Sequence, residues 1–160
     1  MPSAKPGTGV RGVRKGPRAA AAPPAEASLK DYAKAQIEAR LSKTLFEMRR
    51  ARRGADAEGV HDLRVSLRRL FAALRVFRDL FARKHAGRIR KELRPVLKLA
   101  GEVRNRDIGL ALAQEAGVGS RAAARVALQR ERKAAASVLR TALRQAESRD
   151  VAHRWRKGAW

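Results

Sequence analysis

The sequence predicts an all-α protein, an antiparallel four-helix bundle with a disordered basic N-terminal arm. From residue 28 onward, apolar side chains recur with the helical period of about 3.6 residues, and strand-like alternation is almost lacking. Ala, Leu, Arg, Glu and Lys fill these segments, and Pro95 is the single proline after Pro24. Short connections between long helices favour antiparallel neighbours.

The first 27 residues differ in composition from the rest. Residues 1–27 are rich in Pro, Gly, Ala, Lys and Arg and show no apolar period, which is typical of a disordered arm. We expect the helical domain over residues 28–150. A tail over 151–160, with Trp155 and Trp160, has no clear period.

Helix 1 is expected to begin at Ser28, because serine is a good N-cap and Asp31 follows three residues later. It should end near Arg53, before Gly54. Its apolar stripe consists of Ala33, Ile37, Leu41, Thr44, Leu45 and Met48.

Helix 2 is expected from about Ala57 to Lys84, because one apolar stripe runs through the whole segment. That stripe consists of Leu63, Leu67, Leu70, Leu74, Phe77 and Phe81. Helix 3 is expected from about Gly87 to Ala116, and Pro95 either kinks it or lies near its start.

Helix 4 follows a glycine-rich turn. The turn is Gly117-Val118-Gly119, and Ser120 is the expected N-cap of a helix that extends to about Ser148.

The chain is strongly basic. Its 160 residues carry 38 Lys and Arg against 15 Asp and Glu, a net charge of +23 that opposes compaction and favours an anionic partner. Nucleic acid, an acidic membrane surface and a phosphate polymer all fit. The aromatic content of 4% argues against a base-stacking platform for single strands.

Several classes are excluded by composition. The chain has no cysteine, so disulfides and thiolate zinc sites are ruled out. No apolar run approaches the roughly 20 residues of a membrane span, and the basic N-terminus lacks the apolar core of a signal peptide. We therefore expect a cytoplasmic protein with no membrane partner.

Two columns of cations follow the helical period. Helix 2 carries His61, Arg64, Arg68 and Arg75 on one side, and helix 3 carries Lys91, Arg94 and Lys98. Like charges one turn apart repel by roughly 0.2–0.5 kcal/mol per pair on an isolated helix, which is tolerable where a polyanion binds. The two columns could line one groove. The alternative is that each charge merely solvates an outer helix face.

Arg104 and Asp107 fall inside or at the edge of the apolar face of helix 3. A buried charge needs a partner, so these two residues either pair with each other or contact a neighbouring helix. A structural ion pair is the expected role for Asp107. Arg104 is expected to project toward the groove.

His61 has three interpretations: a solvated or capping residue, a donor to phosphate, and a phosphoacceptor. The third has the least support, because no general base is placed beside it. His85 and His153 have no companions at metal-ligand spacing. Since no phosphate-cradling glycine loop or paired acids occur, we expect no catalytic residues, no metal and no cofactor.

Two segments resemble the signatures of CHAD domains, the conserved-histidine α-helical domains. The first is VHDLRVSLRR at 60–69, followed by LRVF at 74–77. The second is LRPVLKLAGEVRNRDI at 93–108, which is similar to the family's LR-x-LL…LG-x-x-RD-x-DV pattern. The resemblance covers roughly residues 28–148.

The resemblance implies binding of inorganic polyphosphate by a basic helical surface, with recruitment to polyphosphate granules in some members. The ligand residues that it implies are His61, Arg64, Arg68, Arg69, Arg75, Arg94, Lys98 and Arg104. The helical wheel places Arg69 off the stripe, and Lys91 joins the predicted site from spacing alone.

The chain departs from the family pattern in two ways. Asn105 stands where the first aspartate of RD-x-D is expected. A full family domain has two similar four-helix halves, whereas this sequence matches one half. A homodimer that completes the two-half arrangement is expected, with a stand-alone half-domain as the alternative. The rival function is a nucleoid-type nucleic-acid-binding protein.

Overall fold

The computed structural model describes residues 25–148 and residue 153 of the chain, and the described part is helical. The four helices are α1 (Ala25–Arg53), α2 (Ala57–Val76), α3 (Arg83–Glu115) and α4 (Ala123–Ser148). The all-α four-helix prediction is therefore confirmed. Residues 1–24 of the predicted arm, and the predicted tail apart from residue 153, lie outside the described residues.

Helix α1 begins three residues earlier than predicted. It starts at Ala25 rather than at Ser28, which lies within its first turn. Pro24 directly precedes the helix, and proline is common at helix starts, while Ala and Glu at 25–27 are strong helix formers. Local propensity thus extends the helix beyond the expected cap.

Helix α1 ends at the predicted residue, but the residue that takes the left-handed conformation after it is not the predicted glycine. Gly54 follows the last helical residue, yet the left-handed conformation falls on Ala55, with φ of 46°. Asp56 then caps α2, since its Oδ1 accepts a 2.6 Å hydrogen bond from the Gly59 N–H. Ala55 is buried, so this three-residue link is packed into the domain.

Helix α2 does not reach Lys84 as predicted; it ends at Val76. The Phe77 N–H closes the last turn on the Ala73 carbonyl at 3.0 Å, and the chain then turns until α3 begins at Arg83. The apolar stripe predicts too long a helix because Phe81, which follows the helix, still packs into the core and is 8% exposed.

The turn between α2 and α3 is also stabilised by an exposed carboxylate. Asp79 accepts hydrogen bonds from Arg83 at 2.7 Å and from Arg78 at 3.3 Å. These hydrogen bonds, the one from Arg83 first, hold the pKa of Asp79 below its usual value. Because α3 starts in this turn, its first residue precedes the predicted Gly87 by four positions.

The turn between α3 and α4 is formed at a glycine, as predicted. Gly117 takes φ of 72°, its N–H donates to the Gln114 carbonyl, and the Val118 N–H donates to the Ala113 carbonyl. Ser120 is not the N-cap, because α4 begins at Ala123. The Ala122 N–H instead donates to the Gly119 carbonyl and extends the turn.

Successive helices run antiparallel, as cross-helix contacts show. Tyr32 meets Phe77 while Arg50 meets Asp62, so later residues of α1 lie beside earlier residues of α2. The same order relates α3 and α4, and it is set by the pairs Arg106–Glu131, Asp107–Arg132, Gly109–Leu128 and Gln114–Arg125.

Helix α4 crosses the end of α1 rather than lying along it. Arg132 donates to the Ala55 carbonyl, and Glu147 pairs with Arg52 at 3.1 Å. Those two α4 residues are roughly 22 Å apart at the helical rise of about 1.5 Å per residue. Both α4 residues nevertheless reach the same end of α1.

The core follows the predicted stripes closely. Five of the six stripe positions on α1 are at most 4% exposed, and Leu45 is partly buried. The buried α4 positions, for which no stripe was predicted, are Ala136, Leu139, Leu143 and Ala146. No helix in the described part of the chain is long and apolar enough to cross a membrane.

Asp107 pairs across helices rather than with Arg104. Its Oδ1 accepts a 2.9 Å hydrogen bond from Arg132 Nε, and the two side chains are 7% and 20% exposed. Arg132 also donates to the Ala55 carbonyl at 2.6 Å, so one side chain joins α3, α4 and the α1–α2 link. Asp107 thus has the structural role expected of it.

Candidate anion-binding site

Helices α2 and α3 meet at a close contact between Arg64 and Gly101. A Cβ added to Gly101 would come within 2.9 Å of Nη1 of Arg64. Farther along α2, Phe71 lines the same surface as Arg94, which precedes Gly101 by seven residues. The two helices are therefore antiparallel, and a residue farther along α2 lies level with an earlier residue of α3.

An open cavity of about 920 Å³ lies before this contact on α3, and its lining reaches as far as Lys98, three residues before Gly101. We call it the α2–α3 trough, and its lining residues are Phe71, Gly87, Arg90, Lys91, Arg94, Pro95, Leu97 and Lys98. Three residues of the predicted site, Lys91, Arg94 and Lys98, thus share one concave surface. Apolar side chains form its floor, and cations from α3 form one wall.

From α2, the lining of the trough includes Phe71 but none of the cations of the α2 column. Arg64 reaches α3 at Gly101, and Arg68 follows one turn later on the same side of α2. Arg75 is exposed in the last turn of α2, and the register places it level with Arg90. Beyond Gly101, outside the lining of the trough, the register places the exposed His61 level with Arg104.

The predicted site residues are unpaired. Within the described part of the chain, no hydrogen bond or ion pair to a side chain of this set is found. Cations elsewhere behave differently: Arg50 contacts three carboxylates, and Arg132 pairs with Asp107. Cations that are not compensated by carboxylates of residues 25–148 create a positive field there, which is suited to a polyanion.

Arg90 lines the trough but was not predicted. It lies one helical turn before Arg94, which in turn precedes Lys98 by one turn, so the i, i+4, i+8 spacing was present in the sequence. The predicted spacing i, i+3, i+7 starts at Lys91 and therefore leaves out Arg90.

Arg69 does not face the trough. It lines a separate groove between α1 and α2, together with Arg40 and Lys43. The helical wheel had placed Arg69 off the stripe, and its position about 100° from Arg68 explains why. The site implied by the family resemblance is therefore distributed over two surfaces.

The chain matches the family model for the CHAD domain over residues 35–159. The match spans well over half of the chain and includes both signature segments. The chain belongs to the CHAD domain family. No protein of curated function and no solved structure matches it significantly.

The CHAD signature residues are positioned by ordinary helix chemistry. Leu63, Leu67 and Leu70 are at most 1% exposed and fix the rotation of α2, which turns Arg64 and Arg68 outward. Leu93, Val96 and Ala100 do the same for α3. The core therefore orients both cation columns.

His61 of the CHAD motif is exposed and has no hydrogen-bonded carboxylate within residues 25–148. Groups of His, Cys, Asp and Glu arranged to hold a metal ion are likewise not found among the described residues.

Gly101 offers a test of the trough that leaves the charge unchanged. We expect Gly101→Ala to weaken binding of an anionic polymer about five- to tenfold at about 0.1 M salt, because displacing Arg64 removes about one phosphate contact. Folding should not suffer, since alanine is favoured over glycine in a helix by about 1 kcal/mol and Arg64 can move at its tip. Titration calorimetry and thermal unfolding measure the two effects.

Gly87→Ala is the matched control, because it lines the same trough and an added Cβ meets nothing within 4 Å. It should change neither affinity nor the position of Arg64. Equal affinities of Gly101→Ala and Gly87→Ala would show that the Arg64 position does not matter.

Proposed function

We propose that this CHAD domain binds inorganic polyphosphate in the α2–α3 trough and does so without catalysis. The observation that carries the proposal is that four cations of α3 line one concave surface, beside which Arg64 of α2 reaches Gly101. The cations of the trough follow one another along α3, so the trough suits a linear chain better than a compact ligand.

The proposed mechanism is electrostatic. Guanidinium groups of Arg64, Arg68, Arg90 and Arg94 would each contact phosphate oxygens through their planar forks, and Lys98 would act as a point charge. Each neutralised phosphate releases condensed counterions, so affinity should fall steeply with salt. For duplex DNA, the slope of log K against log salt is about −0.9 per phosphate.

The rival is a nucleic-acid-binding protein, favoured by the net charge of +23. Competition binding between polyphosphate and duplex DNA, at equal phosphate concentration and fixed ionic strength, separates the two. We expect polyphosphate to displace DNA, because a thin flexible chain can follow a concave surface more closely than a stiff duplex can. Equal affinities, lost equally in Arg64→Ala and Arg68→Ala, would favour the nucleic-acid function.

The absence of catalysis is tested by following labelled polyphosphate over time with the protein, with and without Mg²⁺. We expect the polymer length to stay constant. Shortening of the chain that is lost in His61→Ala would instead support a phosphoacceptor role for His61.

A homodimer and recruitment to polyphosphate granules are further parts of the proposal. Ile108 and Leu112 lie one turn apart on α3 and are 43% and 58% exposed, which supports a contact with a second copy. Light scattering of the purified protein, with and without polymer, tests the dimer. A strict monomer in both conditions would contradict it.

A further inference from the structure

A second basic groove lies on the other side of α2. It is a cavity of about 320 Å³ between α1 and α2, and its cationic lining residues are Arg40, Lys43 and Arg69. We infer that this groove is a second phosphate-binding subsite, which holds a further segment of the same polyphosphate chain after the chain has crossed α2. The inference rests on the proposed function of the trough.

The α1–α2 groove continues over α2 as far as Arg68. A shallow depression on the outer side of α2 is lined by Val65, Arg68, Arg69 and Ala72. Arg68 lies one turn after Arg64, which reaches α3 at Gly101, whereas Arg69 and Val65 also line the α1–α2 groove. A chain leaving the trough therefore passes from Arg68 to Arg69 across two small side chains that leave its path open.

The net charge of the groove lining is positive when the residues already engaged in ion pairs are left out. Lys43 Nζ lies 2.6 Å from the buried Glu47, and Asp62 is paired with Arg50 at 2.8 Å. Arg69 has no partner among the described residues, and Arg40 contacts only the neutral Gln36, through its carbonyl and its side-chain oxygen. Two uncompensated guanidinium groups therefore remain for phosphate.

This arrangement predicts a dependence on polymer length. Tripolyphosphate is short enough to bind within the trough alone, whereas a long chain can occupy both sites. Occupying the second site adds contacts without a second association cost, which raises the apparent affinity of the long chain.

The experiment compares Arg40→Gln/Arg69→Gln with the control Arg49→Gln/Arg130→Gln. The control pair is exposed, loses the same charge and lies off both grooves; Arg49 is nine residues from Arg40, on the opposite side of α1. Lys43 is left intact because its removal would strand the buried Glu47. Thermal unfolding confirms that both variants fold, and fluorescence titration measures binding of tripolyphosphate and of long-chain polyphosphate.

We expect the groove variant to bind long-chain polyphosphate at least about tenfold more weakly than the control at about 0.1 M salt, with a shallower salt slope. Its affinity for tripolyphosphate should equal that of the control. Equal long-chain affinities of the two variants would overturn the second subsite, and so would an equal loss for both ligands. Failure of the trough proposal would give a different result, because substitutions in the trough would then change the affinity for neither tripolyphosphate nor long-chain polyphosphate.

Discussion

Arg64→Gln/Arg94→Gln/Lys98→Gln should bind polyphosphate roughly 100- to 1000-fold more weakly than the native protein at about 0.1 M salt. Three phosphate contacts are lost, and each contributes a slope of about −0.9 in log K against log salt for duplex DNA. The slope measured by titration at several salt concentrations should fall by nearly three. Removing these cations also relieves repulsion along each column, so the free energy of unfolding should not decrease.

A control with the same change of net charge shows whether position matters. Arg49→Gln/Arg121→Gln/Arg130→Gln also removes three exposed cations, but from surfaces outside both grooves. We expect only a small loss of affinity from the weaker long-range field. If the two triple variants lose affinity equally, the protein binds through its overall charge and not through the trough.

Asp107→Ala should destabilise the fold by about 2–3 kcal/mol, which is below the cost of breaking a fully buried pair because Arg132 is 20% exposed. The substitution leaves the Arg132 guanidinium without its carboxylate at the junction of α3, α4 and the α1–α2 link. The melting temperature should fall by about 5–10 °C for a domain of this size. Differential scanning calorimetry measures it.

Glu131→Ala is the control for this pair, because it breaks an ion pair between the same two helices at the surface. Glu131 is 60% exposed and its partner Arg106 is 30% exposed, so we expect a change below about 1 kcal/mol. The double variant Asp107→Leu/Arg132→Met should recover much of the lost stability. A melting temperature of Asp107→Ala equal to that of Glu131→Ala would show that the junction does not depend on this charge pair.

The helices and their buried faces were accessible from sequence, but some ends were not. Phe77 and Phe81 continue the apolar period of α2, and nothing local distinguishes a helix that continues from a turn that returns both rings to the core. The end at Val76 is set by tertiary packing and by the hydrogen bonds of the following turn. The sequence also did not identify the partner of Asp107, because Arg132 lies 25 residues away in sequence.

Only part of the candidate site could be predicted from the sequence, because the sequence pattern does not give the contacts between helices. Helical periodicity tells which residues share a side of one helix, and it places Arg69 off the side of Arg64 and Arg68, although Arg68 and Arg69 line one shallow depression on α2. It does not tell which neighbouring helix each side meets. Arg40 could therefore not be joined to Arg69, and the close approach of Arg64 to Gly101 required the packed structure.

A crystal structure of the protein with tripolyphosphate is the most direct measurement of whether the trough is the binding site. We expect phosphate oxygens within about 3 Å of the guanidinium groups of Arg64 and Arg94 and of the ammonium group of Lys98. Phosphate bound at other surfaces, with the trough filled by solvent, would contradict the proposed site.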